Sequence, residues 1–177
     1  ECGKPVKYAS GEVDRCIQTF KTAAEEAKRL PKECIDLDWS RAGLGREGIV
    51  KYFPIGIIAG ITPFNFPLNL VAHKIAPAIA AGCPIILKPA AKTPLSALKL
   101  AQIIDKTALP KGALSLLPMS NDDAQKMAMD ERIKMLSFTG SVDIGWMLKS
   151  ICGKKKIVLE LGGNAGAIIA PGADLET

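Results

Sequence analysis

The chain has 177 residues, 48% of them hydrophobic but only 5% aromatic, and a formal net charge of +5. A mean hydropathy of +0.18 excludes a disordered polymer, and no apolar run is long enough to predict a membrane-spanning helix. Basic residues are spread along the chain, with one cluster at Lys154–Lys156 and no interleaved aromatics, so the positive balance suits a small anionic ligand rather than nucleic acid.

In chain order, Val6, Ala9, Val13, Cys16, Ile17, Phe20, Ala23, Ala24, Ala27 and Leu30 recur at three- and four-residue steps. They predict one long amphipathic helix ended by Pro31. Residues 36–47 are polar and glycine-bearing and read as a loop or exposed edge, and 46–53 as an extended strand outside the main sheet. From Ile55 onward, short aliphatic runs alternate with helical patterns. Strands are predicted at Ile55–Ile61, Pro84–Lys88, Ala113–Leu117, Lys134–Phe138, Ile157–Glu160 and Ala167–Ala170. Helices are predicted at Leu68–Ala80, Pro94–Thr107, Asp122–Met129 and Val142–Ser150, with Thr93 as N-cap before Pro94. This alternation means βαβ units and a parallel sheet, so the fold class is α/β. The last residues, Asp174 to Thr177, resemble the start of another helix. With a glutamate at position 1, the chain reads as a piece of something longer.

Several groups could carry chemistry. In Pro63-Phe64-Asn65-Phe66-Pro67, two prolines hold Asn65 on a stiff turn after a buried strand. A neutral amide donor there suits a developing oxyanion; as an alternative, Asn65 caps the next helix. Lys88 ends a strand, where it either meets a ligand's hydroxyls or phosphate or snorkels to water. Phe138-Thr139-Gly140-Ser141 is a strand, a turn and a helix opening, which makes an anion site of the helix amides; Gly140 would admit a phosphate closely. Glu160, between Leu159 and Leu161, is expected to be partly desolvated and so useful as a base, or else bonded to nearby amides. His73 reads as a packing residue, and Cys83 as a small filler. Five scattered cysteines without metal spacing predict reduced thiols in a cytoplasmic protein.

These motifs, in this order and spacing, together with Gly3-Lys4-Pro5 and Gly162-Gly163, resemble the aldehyde dehydrogenase superfamily over the whole chain. The resemblance implies a Rossmann-like parallel sheet with flanking helices that binds NAD or NADP (residues 54–177). It also implies an N-terminal helix and part of a subunit-bridging strand region (residues 1–53), hence a homo-oligomer. It implies that Asn65 stabilises the oxyanion of a thiohemiacetal and that Glu160 activates the hydrolytic water. Lys88 would bind the adenosine ribose. Ile61, Thr62, Pro63 and Phe64 would line the cofactor cleft, with Phe138, Thr139, Gly140, Ser141, Ile144, Leu161 and Gly162. The family's catalytic cysteine belongs downstream of this chain, so the expectation is aldehyde oxidation by a parent protein and an inactive isolated chain. A non-catalytic dinucleotide-binding module and a coenzyme-A-acylating or acyl-phosphate-reducing relative are the alternatives.

Two positions depart from the family pattern. Many NAD-preferring relatives carry a glutamate three residues after the lysine. Here that position is Ala91, followed by Lys92, so NADP is expected to be accepted. The usual glycine-rich turn before the next helix reads Pro118 to Ala124 with two aspartates, which argues against a phosphate contact there.

Overall fold

The computed structural model describes residues 1–174, so Leu175, Glu176 and Thr177 of the expected terminal helix lie outside the described residues. Helix α1 (Val6–Ala27) carries the predicted apolar stripe. Cys16 is buried, and Phe20 packs against the cluster around Ile75 and Leu87. The helix stops before Pro31 because Lys28 and Arg29 already turn back, their amides donating to the carbonyls of Glu25 and Glu26.

Strands β1 (Lys32–Asp36) and β2 (Glu47–Lys51) form an antiparallel hairpin apart from the main sheet, with Lys32 opposite Lys51 and Asp36 opposite Glu47. β2 lies within the expected extended segment. β1 was not foreseen: its five exposed residues offer no alternation of apolar and polar side chains to read.

The main sheet contains β3 (Ile57–Ile61), β4 (Ile85–Lys88), β5 (Leu114–Leu116), β6 (Ile133–Thr139) and β7 (Lys156–Glu160), all parallel, in the order β5-β4-β3-β6-β7. Helices α2 (Asn69–Ala80), α3 (Leu95–Ile104), α4 (Asn121–Met129) and α5 (Val142–Ile151) make the crossovers. Successive strand residues face opposite sides. Ile58, Ile85 and Leu87 therefore pack with Val71, Ile75 and Ala97 from α2 and α3. Ala59, Leu136 and Phe138 pack with Ala124, Ala128 and Leu148 from α4 and α5. Helices on both faces explain why the central strands are nearly pure aliphatic.

Two expectations are corrected here. Residues 167–170 are not a strand: among the described residues no strand pairs with them to satisfy their backbone, and Ile168 is 99% exposed. Thr93 does not cap α3. The Thr93 hydroxyl is buried with no hydrogen-bond partner among the described residues, and the carboxylate of Glu1 accepts from the amides of Leu95 (2.6 Å) and Ser96 (2.9 Å) instead.

Strand order reverses at β3. The chain moves outward through β4 and β5, then crosses back to place β6 on the other side of β3. In open parallel sheets the crevice at such a reversal, beyond the carboxyl ends of the strands, is where ligands bind.

Candidate functional site

Strand register brings the predicted residues to one edge. Lys88 pairs with Ile61, Ile61 with Phe138, Phe138 with Leu159, and Thr139 with Glu160. The loops that follow β3 and β6 therefore open side by side, with Lys88 flanking one and Glu160 the other. Asn65 sits on a bend between Pro63 and Pro67. Its side chain is exposed, and among the described residues its amide has no hydrogen-bond partner. Asn65 does not cap α2. The side chain of Glu12 on α1 takes that place, accepting from the amides of Leu68 (2.9 Å) and Asn69 (3.1 Å).

Glu160 lies at the end of β7 and is exposed rather than desolvated. The reason is strand alternation: Leu159 and Leu161 point away from it and pack toward the α5 side. Glu160 lines a cavity of about 600 Å³ with Thr19, Thr22, His73 and Pro77 from α1 and α2. His73 is exposed in that cavity, not packed in the core, and its Nε2 accepts from Asn69 Nδ2 at 3.2 Å.

Lys74 is a site residue that sequence reasoning missed. It lies on the buried face of α2, 7% exposed, and donates to Ser137 Oγ (2.9 Å) and Thr139 Oγ1 (3.0 Å) at the end of β6. Burial pushes its ammonium down to about 8, partly opposed by the nearby Glu160 carboxylate. Gly60 eases the passage, since a Cβ there would lie 3.3 Å from the Lys74 stem and oblige it to shift by a few tenths of an ångström. The available signal was a single lysine in an otherwise apolar stripe of Val71, Ala72, Ile75 and Ala78.

On the β4 side, Lys88 is 5% exposed, and among the described residues its ammonium has no ion-pair or hydrogen-bond partner. Burial lowers its pKa. The buried Thr62 hydroxyl is also unpartnered among the described residues. An unpaired buried cation and an orphaned hydroxyl at the same crevice fit a ligand rich in hydroxyl and phosphate oxygens. Ala91 is exposed, and Lys92 places its ammonium 5.5 Å from the centroid of the Phe64 ring, so a second cation borders the loop after β3.

On the β6 side, the Gly140 amide donates to the Glu160 carbonyl at 3.0 Å and is not free for a phosphate. Gly140 makes room instead for the Phe138 ring, whose Cζ would lie 2.5 Å from a Cβ. The anion-binding capacity belongs to α5. Ser141 precedes it without a side-chain cap, leaving the first amides of the helix open beside Ile144. Leu161 crosses Gly145 of this helix, and Gly162 lies against Val142. At the turn before α4, Ser120 caps the helix by accepting from the Asp123 amide at 3.1 Å, so that turn keeps its own polar groups satisfied.

Two of the five cysteines, Cys83 and Cys152, lie away from this edge. Cys83 precedes β4 and Cys152 follows α5, both buried toward the amino ends of the strands. Cys16 is buried in α1 and Cys34 lies on the hairpin. Burial raises the pKa of Cys16 and Cys152, which disfavours the thiolate.

The family model described as the aldehyde dehydrogenase family matches residues 1–177. The chain is 40% identical over 177 residues to a 3-sulfolactaldehyde dehydrogenase of Priestia aryabhattai, covering 99% of this chain and 37% of that protein. Among solved structures it resembles aldehyde dehydrogenase 21 from Physcomitrella patens, determined in complex with the reaction product succinate. That likeness has 59% identity and a TM-score of 0.89, over 92% of this chain and 34% of the other. It also resembles the glyceraldehyde-3-phosphate dehydrogenase GapN of Methanocaldococcus jannaschii complexed with NADP. There the identity is 44% and the TM-score 0.84, over 92% of this chain and 35% of the other.

Proposed function

The chain belongs to the aldehyde dehydrogenase family, and from that premise we propose that its parent protein oxidises an aldehyde to a carboxylic acid with NAD or NADP. The supporting observation is the strand register that sets Asn65, Lys88, the start of α5 and Glu160 along one sheet edge at the strand-order reversal. The dinucleotide, when bound, supplies the hydride acceptor.

The residues of this chain do the rest of what falls to this half. Lys88 and Thr62 hold ribose hydroxyls, and the open amides of α5 face the pyrophosphate. A thiolate contributed by the rest of the polypeptide adds to the aldehyde carbonyl. Asn65 donates its amide hydrogen to the oxygen that becomes negative. After hydride departure, Glu160 takes a proton from water as the water attacks the thioester. The exposed, cavity-lining position of Glu160 leaves it free to meet that water.

The substrate class we propose is an aldehyde carrying an anionic group at its far end. A cavity of about 560 Å³ beside Phe66 is lined by Lys4, Lys7, Tyr8 and Arg15. Arg15 stands 5.1 Å from the Phe66 ring centroid and has no ion-pair partner among the described residues. The relatives above act on a sulfonate-bearing aldehyde or hold a dicarboxylate product. Ala91 and Lys92 support use of NADP. Five free cysteines support a cytoplasmic location, and the exposed apolar hairpin supports a homo-oligomer.

The test uses the full-length protein. Asn65→Ala should lower kcat by about 10²–10³. Glu160→Gln should retain one rapid equivalent of NAD(P)H per site and then stall. A Glu160→Gln enzyme with undiminished steady turnover in water would exclude a hydrolytic dehydrogenase.

A further inference from the structure

The half-buried ammonium of Lys4 and the buried carboxylate of Glu12 take no part in the catalytic steps above, yet the structure ties both to the loop that carries Asn65. Glu12 is 4% exposed on α1. Its Oε1 accepts both amides at the opening of α2, Leu68 and Asn69, while its Oε2 accepts from Lys4 Nζ at 2.6 Å. Lys4 Nζ donates also to the backbone carbonyl of Asn65 at 2.9 Å and lies 3.9 Å above the centroid of the Phe66 ring. One ammonium thus grips a carboxylate, the Asn65–Phe66 peptide and the following ring. The same carboxylate is anchored to the helix that the loop leads into. Burial raises the Glu12 pKa, but the Lys4 hydrogen bond and the two α2 amides outweigh it and hold the carboxyl below its usual range. The Glu12 carboxylate is therefore charged at neutral pH.

We propose that Lys4 and Glu12 are positioning residues for Asn65: they fix the peptide plane from which its free amide projects, and so set where the oxyanion donor points. This rests on the reading of Asn65 as that donor. The prolines on either side restrict the loop's torsions, but they do not tie it to the body of the molecule. The Lys4–Glu12 pair does, across 61 and 56 residues of sequence. A donor works only if it meets the charge as it develops, and a displacement of about 1 Å can cost about 10²-fold in rate.

The experiment is a double-mutant cycle in the full-length protein, with succinic semialdehyde and NADP⁺ or NAD⁺ as substrates. Lys4→Met alone should lower kcat about 10- to 100-fold with the KM for dinucleotide unchanged. In the Asn65→Ala background, Lys4→Met should cost no more than about 2-fold, because the group it aims is gone. Glu12→Gln keeps an acceptor for the α2 amides but weakens the hold on Lys4. It should give a smaller loss with the same non-additivity, and it carries the test if Lys4→Met does not fold. Lys4→Arg, which keeps the cation, should recover most of the rate. Losses that multiply in the double variant, or a KM rise at constant kcat, would overturn the proposal while leaving the role of Asn65 intact. A silent Asn65→Ala would overturn both.

Discussion

A lysine ammonium at 7% exposure, with two hydroxyls and no carboxylate at hydrogen-bonding distance, is held in the folded chain against its preference for water. Burial accordingly lowers the Lys74 pKa from 10.5 to about 8. The folded state binds this proton less tightly than the unfolded one. Below about pH 8 both states carry it and the penalty is constant. Between about 8 and 10.5 the folded state sheds it first, so stability from this group rises with pH, by at most about 3 kcal/mol. Lys74→Met should therefore raise the thermal midpoint of the full-length protein most at pH 7 and progressively less toward pH 10, as scanning calorimetry would read. A second prediction at this scale concerns Ala91, exposed beside Lys92. Ala91→Glu should weaken NADP by about tenfold or more and spare NAD, a difference measurable by tryptophan quenching during titration. Arg15→Ala should raise the KM for succinic semialdehyde but not for butanal, separating a carboxylate contact from general damage. Residue types and spacing offer Asn65, Lys88 and Glu160 as candidates, and strand register brings their segments to one sheet edge. Their surroundings were not legible. The expected desolvation of Glu160 assumed that its chain neighbours were also its spatial neighbours, which a pleated strand forbids. Lys74 was passed over because one lysine in an apolar helix ordinarily snorkels outward.

Among the elements, the five strands of the main sheet fall within two residues of their expected bounds, because aliphatic runs between glycine and proline punctuate the chain clearly. The capping of the helices was hidden. Glu12 and Glu1 cap α2 and α3 from 56 and 94 residues away, and no local pattern announces a partner at that distance. Thr93-Pro94 looked like a start signal and gave way to tertiary contacts. The α2 cap carries a pH signature. Glu12 titrates below the ordinary carboxylate value of 4.5, so its stabilisation is complete above that value and lost as pH falls through the folded pKa. Hydrogen exchange of the Leu68 and Asn69 amides, corrected for the intrinsic rate, should stay protected down to about pH 4.5 and open below it. Glu12→Gln should flatten that dependence.

For the whole molecule, the hairpin is the outlying part. Trp39, Leu44, Ile49, Tyr52 and Phe53 are all more than 60% exposed on or beside it. A solvated apolar surface of this kind supports the proposed association between copies of the full-length protein. Ile49→Asp with Tyr52→Ser should shift the full-length protein toward monomer by light scattering, while leaving dinucleotide affinity alone. The chain spans about a third of the length of the relatives it matches. Residues 1–177 on their own, mixed with aldehyde and NAD(P)⁺, should accordingly give no steady NAD(P)H signal.

The pairing order β4-β3-β6-β7 also acts as a ruler. Adjacent strands are spaced about 4.8 Å apart, so three such intervals separate the tips of β4 and β7 by about 14 Å. Backbone hydrogen bonds fix that span whatever side chains fill the interior. A single ribose or phosphate group is too short to reach from Lys88 to the neighbourhood of Glu160, whereas an extended dinucleotide, with two of each, is long enough. The gap between two ends of a sheet thus discriminates by length, before any side chain discriminates by charge.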